Sequence, residues 1–388
     1  MINTWLGRLR GKFKASFLYK TIDSMTLFQV FILVVIAAKI VRWTVMYGNQ
    51  VVCGIGNFWI NDLKAGRVSF QLFSAEEGAS SAGGNAAYLF HLIDFFHLQT
   101  YETWEVYTSL LSNLIVLLFM LNLKKTIRIY QWIFVAATVA VLNIFSFCLA
   151  KDPVQMLYFM IIALVLLTDW GYVRKSLAIY GCLYITIITF RTYYALILMF
   201  IMAAQVVIEG LKRLQGGMSR FLLFIICMTM FGGVFLTIVY NVMPENYQDI
   251  YNARVLTRSI ETANSGMKNW IDTESVFTFT LNWIVMVLRL WFPLELMPMG
   301  PKYWIYVVYQ LMMTLVMFRT FMRLRENKQS VNLALCVYLG FSLGSGLFEP
   351  DFGSWIRHEA VCFAVIFIMG DLVGLPEDHR KYRRITIS

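Results

Sequence analysis

The stretch Glu349-Pro350-Asp351-Phe352-Gly353-Ser354-Trp355-Ile356-Arg357-His358-Glu359 packs three carboxylates, a guanidinium and an imidazole between two apolar runs, Val331–Phe348 and Ala360–Met369. Ionisable groups at or near membrane depth are costly, so they point first to function. A carboxylate or imidazole beside a cation can take a proton from an attacking hydroxyl. Arginine binds phosphate oxygens in a bidentate geometry. The bland alternative is a solvated turn with Trp355 as an interfacial anchor. Other polar groups mark the ends of other apolar runs. They are Lys151 and Asp152 ahead of Pro153, Arg191 between Phe190 and Tyr193-Tyr194, and Arg289 inside an apolar segment. For Lys151–Asp152 an ordinary charged pair at a helix end explains the residues equally well. Arg191 and Arg357 each adjoin interfacial aromatics, which favours a site.

The elements that must hold these groups are membrane helices. The 388 residues are 59% hydrophobic and 14% charged, against roughly 25% charged in soluble domains, and mean hydropathy is +0.63. Apolar runs of about 17–20 residues define a polytopic helical protein, and the alternating segments of an outer-membrane barrel are absent. The expected fold is one all-α membrane domain over 1–388. Ten spanning helices fall at about 24–46, 104–123, 130–150, 154–168, 176–190, 193–209, 220–242, 303–322, 331–348 and 360–375. The N-terminal basic residues Arg8, Arg10, Lys12, Lys14 and Lys20 start the first helix in the cytoplasm. No small-residue cleavage site precedes Lys39 and Arg42, so that helix reads as uncleaved.

The segment 276–292 decides the topology. If it spans, the clusters Arg319–Lys328 and Arg380–Arg384 fall outside, against the positive-inside rule. If it is re-entrant or interfacial near 276–300, both clusters and both termini are cytoplasmic. Arg289 within it, and Pro293, Pro298, Gly300 and Pro301 after it, favour the second choice. Two external loops result. The loop 47–103 carries the turn signal Gly78–Gly84 and an interfacial helix Ala86–Phe96, on which His91 and Asp94 share a face as a hydrogen-bonded pair. The loop 243–302 holds the re-entrant segment and an amphipathic surface helix from Arg254 to Ile271. The net charge of +10 follows from basic residues gathered on the cytoplasmic side, so nucleic acid is not implied. The cysteines Cys53, Cys148, Cys182, Cys227, Cys336 and Cys362 show no ligand spacing, which supports neither a metal nor a disulfide framework.

This topology puts Lys151, Asp152, Arg191 and the 349–359 stretch at outer helix ends, with Arg289 joining them. Cations with carboxylates beside them suit a substrate with a diphosphate head, an apolar tail and sugar hydroxyls. The segments Asn143–Gln155, Phe190-Arg191-Thr192-Tyr193-Tyr194 and Phe348–His358 resemble those of bacterial Wzy-type polysaccharide polymerases and their EpsG-like relatives, within the GT-C class of membrane glycosyltransferases. The resemblance covers the second helix to the end of the chain. It implies polymerisation of undecaprenyl-diphosphate-linked repeat units of capsule, exopolysaccharide or O-antigen at the outer face of the bacterial cytoplasmic membrane. It implies no cofactor and no nucleotide sugar, with membrane lipid, a chain-length regulator and a flippase as partners. Lys151, Arg191, Arg289 and Arg357 would grip diphosphate, and Glu349, Asp351 or His358 would act as base. Asp152, Tyr194 and Glu359 are further candidates. The chain departs from the related pattern in lacking a large late external loop with paired Arg-rich motifs, for which Arg254 and Arg258 are a modest counterpart. It also lacks a clear early acidic motif, with Asp62, Glu76 and Glu77 as substitutes. The rival readings are a lipid-linked oligosaccharide flippase, for which an inverted repeat would be expected, and a membrane O-acyltransferase centred on an intramembrane histidine.

Overall fold

Apolar runs of membrane length can satisfy their backbone hydrogen bonds only as helices or closed barrels. The computed structural model describes residues 21–48, 82–124, 126–255, 265–300, 303–349 and 351–375, and these are overwhelmingly helical. The helices are α1 (Ser24–Gly48), α2 (Ala82–Leu92), α3 (Tyr101–Met120), α4 (Ile129–Val141, continued by a π turn at Leu142–Ser146), α5 (Lys151–Leu167), α6 (Tyr172–Thr189), α7 (Tyr194–Leu211), α8 (Gly217–Val242), α9 (Pro244–Val255), α10 (Val276–Trp291), α11 (Trp304–Met322), α12 (Gln329–Ser345), α13 (Phe352–Ala360) and α14 (Phe363–Met369). One antiparallel ladder pairs β1 (Thr21–Asp23) with β2 (Thr126–Arg128), Ile22 opposite Ile127, and starts α1 and α4 side by side. Cys53, Asp62, Glu76, Glu77, Arg258 and the basic residues Arg380–Arg384 lie outside the described residues.

Among the described residues six helices are long and apolar enough to cross a membrane: α1, α3, α4 with its π turn, α7, α8 and α11. The pair α13–α14, bent by 74°, adds a seventh if counted as one span. The chain is therefore an all-α, multi-pass membrane protein. By that measure ten straight spans are not reached. α5 and α12 stop at 17 residues, the lower edge of the spanning range, and α6 carries Arg174 and Lys175 near its start. α10, at 16 residues, is shorter still.

α12 is the axis of the bundle, buried from Ser330 to Ser345 on all sides. Its glycines let a neighbouring backbone approach. A Cβ added at Gly340 would stand 2.6 Å from Ile201 N and 2.8 Å from Ile201 Cα, and one at Gly344 would stand 3.2 Å from Ile197 Cα. Small residues four apart permit such contacts between membrane helices, where dispersion replaces the hydrophobic effect as the drive for packing. α10 docks on the same core. Trp283 donates Nε1–H to Leu343 O at 2.8 Å, stacks on Phe200 with centroids 5.1 Å apart, and fills the space that Gly232 leaves open on α8.

Three local expectations are corrected. The stretch after Pro350 is not a bare connector, because Asp351 caps α13 and the chain then bends into α14. The helix expected at Ala86–Phe96 runs over Ala82–Leu92, and Asp94 lies beyond it in a turn, where Oδ1 accepts from Leu98 N at 2.9 Å rather than from His91. Of the amphipathic helix expected from Arg254 to Ile271, residues 256–264 lie outside the described residues; Arg254 and Val255 end α9, and the segment 265–271 is irregular rather than helical.

Gly340→Ala should overpack the α7–α12 contact and cost about 2 kcal/mol, read as a lower melting temperature in detergent. Gly181→Ala, on α6 with open space around its Cβ position, should leave melting unchanged or slightly raised.

Candidate functional site

Five segments meet at one end of the bundle. They are the π turn that ends α4, the start of α5, the α6–α7 turn, the α12–α13 connector and α13 itself. α13 is fixed by its own carbonyls. Gln155 Nε2 donates to His358 O at 3.1 Å, and Ser146 Oγ donates to Arg357 O at 3.4 Å. At its other end Asp351 accepts from Ser354 N and from Ser354 Oγ, both at 2.8 Å. The neighbouring Phe352 N donates to Ser265 O at 3.1 Å.

This frame presents two side chains inward. Arg357 Nε lies 2.9 Å from Asp152 Oδ2. The His358 ring stands between two carboxylates, with Nδ1 2.6 Å from Glu349 Oε1 and Nε2 3.6 Å from Asp152 Oδ1. Asp152 is fully buried, and neither of its oxygens accepts a hydrogen bond of good geometry; nor does His358 Nε2 make one. Arg357 supplies the counter-charge, but a buried carboxylate without well-formed hydrogen bonds is still expensive, so this corner holds unused hydrogen-bonding capacity. A neutral imidazole donating Nδ1–H to Glu349 leaves Nε2 as the acceptor. Burial raises the Glu349 pKa, but His358, and beyond it Arg191 and Arg357, outweigh burial and hold the carboxyl below its ordinary value.

Cations outnumber anions here. The Arg191 guanidinium lies 5.1 Å from the Phe190 ring centroid and 5.3 Å from that of Tyr193, and its Nη1 donates to Tyr193 Oη at 2.6 Å. Tyr193 also packs on Phe348, centroids 5.3 Å apart, which ties the α6–α7 turn to the Glu349 connector. Lys151, half-buried, lies within electrostatic reach of Arg191, Arg357, Asp152 and Glu349. Among the described residues neither Lys151 nor Arg191 has a carboxylate within ion-pair distance. Lys151, Arg191 and Arg357 thus face two carboxylates, leaving room for an anion's charge.

The remaining sequence candidates stand elsewhere. Asp351 is committed to its cap. Glu359, on the opposite face of α13, binds Tyr338 Oη and accepts from Gln310 Nε2 at 3.1 Å, and Gln310 Oε1 in turn accepts from Trp355 Nε1. Arg289 is neutralised by Glu295 through a bidentate pair with Nε–Oε2 at 3.0 Å, donates to Lys268 O at 2.6 Å, and lies over Trp270. Tyr194 is a fully buried packing ring beneath Tyr193, with centroids 5.0 Å apart. Arg254 is the connector's clamp. It donates to Glu349 O at 2.8 Å, Met267 O at 2.9 Å and Asn269 Oδ1 at 3.2 Å. Its guanidinium was visible in the sequence, but two of its acceptors are backbone carbonyls that no side-chain pattern announces. Among the described residues no group of His, Cys, Asp and Glu is arranged to hold a metal ion.

Because folding lowers the Glu349 pKa, its stabilising contribution is present above the ordinary value of 4.5 and is lost as pH falls through the folded value. Glu349→Gln should therefore melt below the parent at pH 7, with the gap narrowing as pH falls below 4.5. Comparison with protein-family models, curated proteins and solved structures finds no match to this chain.

Proposed function

We propose that the chain is a membrane glycosyltransferase that joins lipid-diphosphate-linked oligosaccharide units, the reaction of a Wzy-type polysaccharide polymerase. The observation that carries this reading is the convergence of Lys151, Arg191 and Arg357, in excess over their carboxylates, on the Glu349–His358 pair at a single end of an apolar bundle. The cations suit a diphosphate, the bundle suits an isoprenoid tail, and the imidazole suits a hydroxyl. The finer expectations belong to the same reading. They are ten crossings with α10 re-entrant, the cluster facing outward, cytoplasmic termini, the bacterial cytoplasmic membrane, an undecaprenyl carrier, and a chain-length regulator and flippase as partners.

In the proposed step the acceptor sugar's hydroxyl oxygen attacks the anomeric carbon of the donor chain. The bond from that carbon to the diphosphate oxygen breaks, and lipid diphosphate leaves with the electron pair. The hydroxyl proton passes to His358 Nε2, while the Glu349 carboxylate stabilises the imidazolium that forms. Arg191, Arg357 and Lys151 stabilise charge building on the leaving group. Asp152 orients Arg357 and offsets its charge. Arg289, neutralised by Glu295, has no part in this scheme.

Arg357→Ala, checked for membrane abundance, should abolish polymer and leave single repeat units at the outer face. Single units trapped at the cytoplasmic face would instead identify a flippase, and unchanged polymer would remove the cluster from any such role. His358→Gln should lower the polymerisation rate by about 10²–10⁴-fold. Asp351→Asn, which retains capping ability, should leave the rate within about twofold, whereas a base at Asp351 would make it as damaging as the histidine change.

A further inference from the structure

The first helix carries two cations at depth that the proposed chemistry does not use. Lys39 is 7% exposed and Arg42 fully buried. Glu105 of α3 pairs with Arg42 Nε. Buried cations on a membrane helix are costly, and apolar residues would serve mere packing of α1 on α4 better. Both reach backbone carbonyls. Arg42 Nη1 donates to Ile144 O at 2.5 Å, and Lys39 Nζ donates to Phe147 O at 3.2 Å.

Those carbonyls lie at the broken end of α4. The helix loosens into the π turn Leu142–Ser146, and the chain leaves helical geometry at Phe147. The terminal carbonyls of a helix lack intrahelical partners and form the negative end of its dipole, so cationic donors are the apt cap. A reciprocal amide pair braces the same turn from α3, with Asn113 Nδ2 to Asn143 Oδ1 at 2.8 Å and Asn143 Nδ2 to Asn113 Oδ1 at 2.9 Å. From this fixed end only Phe147–Ala150 separate the turn from Lys151 and Asp152, and Cys148 among them is fully buried.

We infer that Lys39 and Arg42 are positioning residues: by holding the Phe147 and Ile144 carbonyls they set where Lys151 and Asp152 stand against Arg357 and His358. The functional consequence rests on the reading of Lys151 as a diphosphate ligand, while the geometric claim does not.

The test uses the full chain in detergent, with Cys148 as its sole cysteine and farnesyl diphosphate as probe. Lys39→Met keeps the stem and removes one donor. The exchange R42E/E105R keeps an ion pair but turns a carboxylate toward the Ile144 carbonyl. Both should accelerate N-ethylmaleimide alkylation of Cys148 and weaken farnesyl diphosphate binding, each by about tenfold, with the melting temperature little changed. In the Lys39→Met background, Lys151→Ala should cost little further binding, a coupling that a purely structural role would not produce. If Cys148 stays protected in Lys39→Met, the inference fails even where the exchange does not fold. Native protection and binding in the exchange would also overturn it, since the ion pair alone would then suffice. A parent chain that binds no farnesyl diphosphate would sink the diphosphate reading, while the alkylation rates would still decide the positioning claim.

Discussion

Two helix backbones touch at Gly340 and Gly344, and the rest of the molecule is arranged around that touch. In a bilayer the lipid tails are as apolar as any side chain, so helices associate through close dispersion contact and hydrogen bonds. The contact fixes α7 against α12 along their length. It therefore fixes the turn that leads into α7 and the connector that leaves α12. Arg191 and Tyr193 belong to the turn, and Phe348 and Glu349 to the connector. The aromatic contact of Tyr193 on Phe348 is the outcome of a packing decision made several turns away.

On that frame the charged residues divide by what they hold. Arg289 is matched to Glu295, and Arg254 is spent on carbonyls and an amide. Both lock backbone in place. Lys151 and Arg191 are differently placed, close to other cations and away from any carboxylate partner among the described residues. Asp152 and Glu349 flank His358 from opposite sides, so the imidazole's two nitrogens meet different carboxylates. In the proposed chemistry such an arrangement would separate the nitrogen that orients from the nitrogen that takes the proton.

The helical class was legible because apolar runs of membrane length have so few physical solutions. The residues that meet, Lys151, Asp152, Arg191, Glu349, Arg357 and His358, were legible as ionisable groups interrupting those runs. The pairings of Asp152 were not, since they reach about two hundred residues along the chain to Arg357 and His358; Glu349 and His358, nine residues apart, meet only because the chain turns into α13 between them. The local contacts of Asp351 and Glu359 were not legible, because the stretch stands in the sequence as a short polar gap between two apolar runs. Once it is a helix, an aspartate three residues before Ser354 is a cap, and Glu359 turns about 100° from its neighbour His358, onto another face. Arg289 was seen in the sequence, but its partner lies across the bend at Pro293, where helical spacing gives no guide. Lys39 and Arg42 gave a charge signal whose meaning lay in carbonyls of a distant broken helix. The shortfall from ten spans arises where α5 and α12 stop at 17 residues and where α13 and α14 bend by 74°.

α8 offers a different lesson. Leu222, Ile226, Met230, Val234 and Ile238 recur every fourth residue along its outer face and are more than half exposed, while Phe224, Met228, Gly232 and Leu236 are buried on the inner one. An outer stripe facing hydrocarbon needs apolarity and no particular shape. The inner stripe is moulded to Trp283 and Phe321. Sequence drift along this helix should therefore run on two clocks, with outer positions exchanging freely among apolar residues while inner ones change only together with the side chains they enclose.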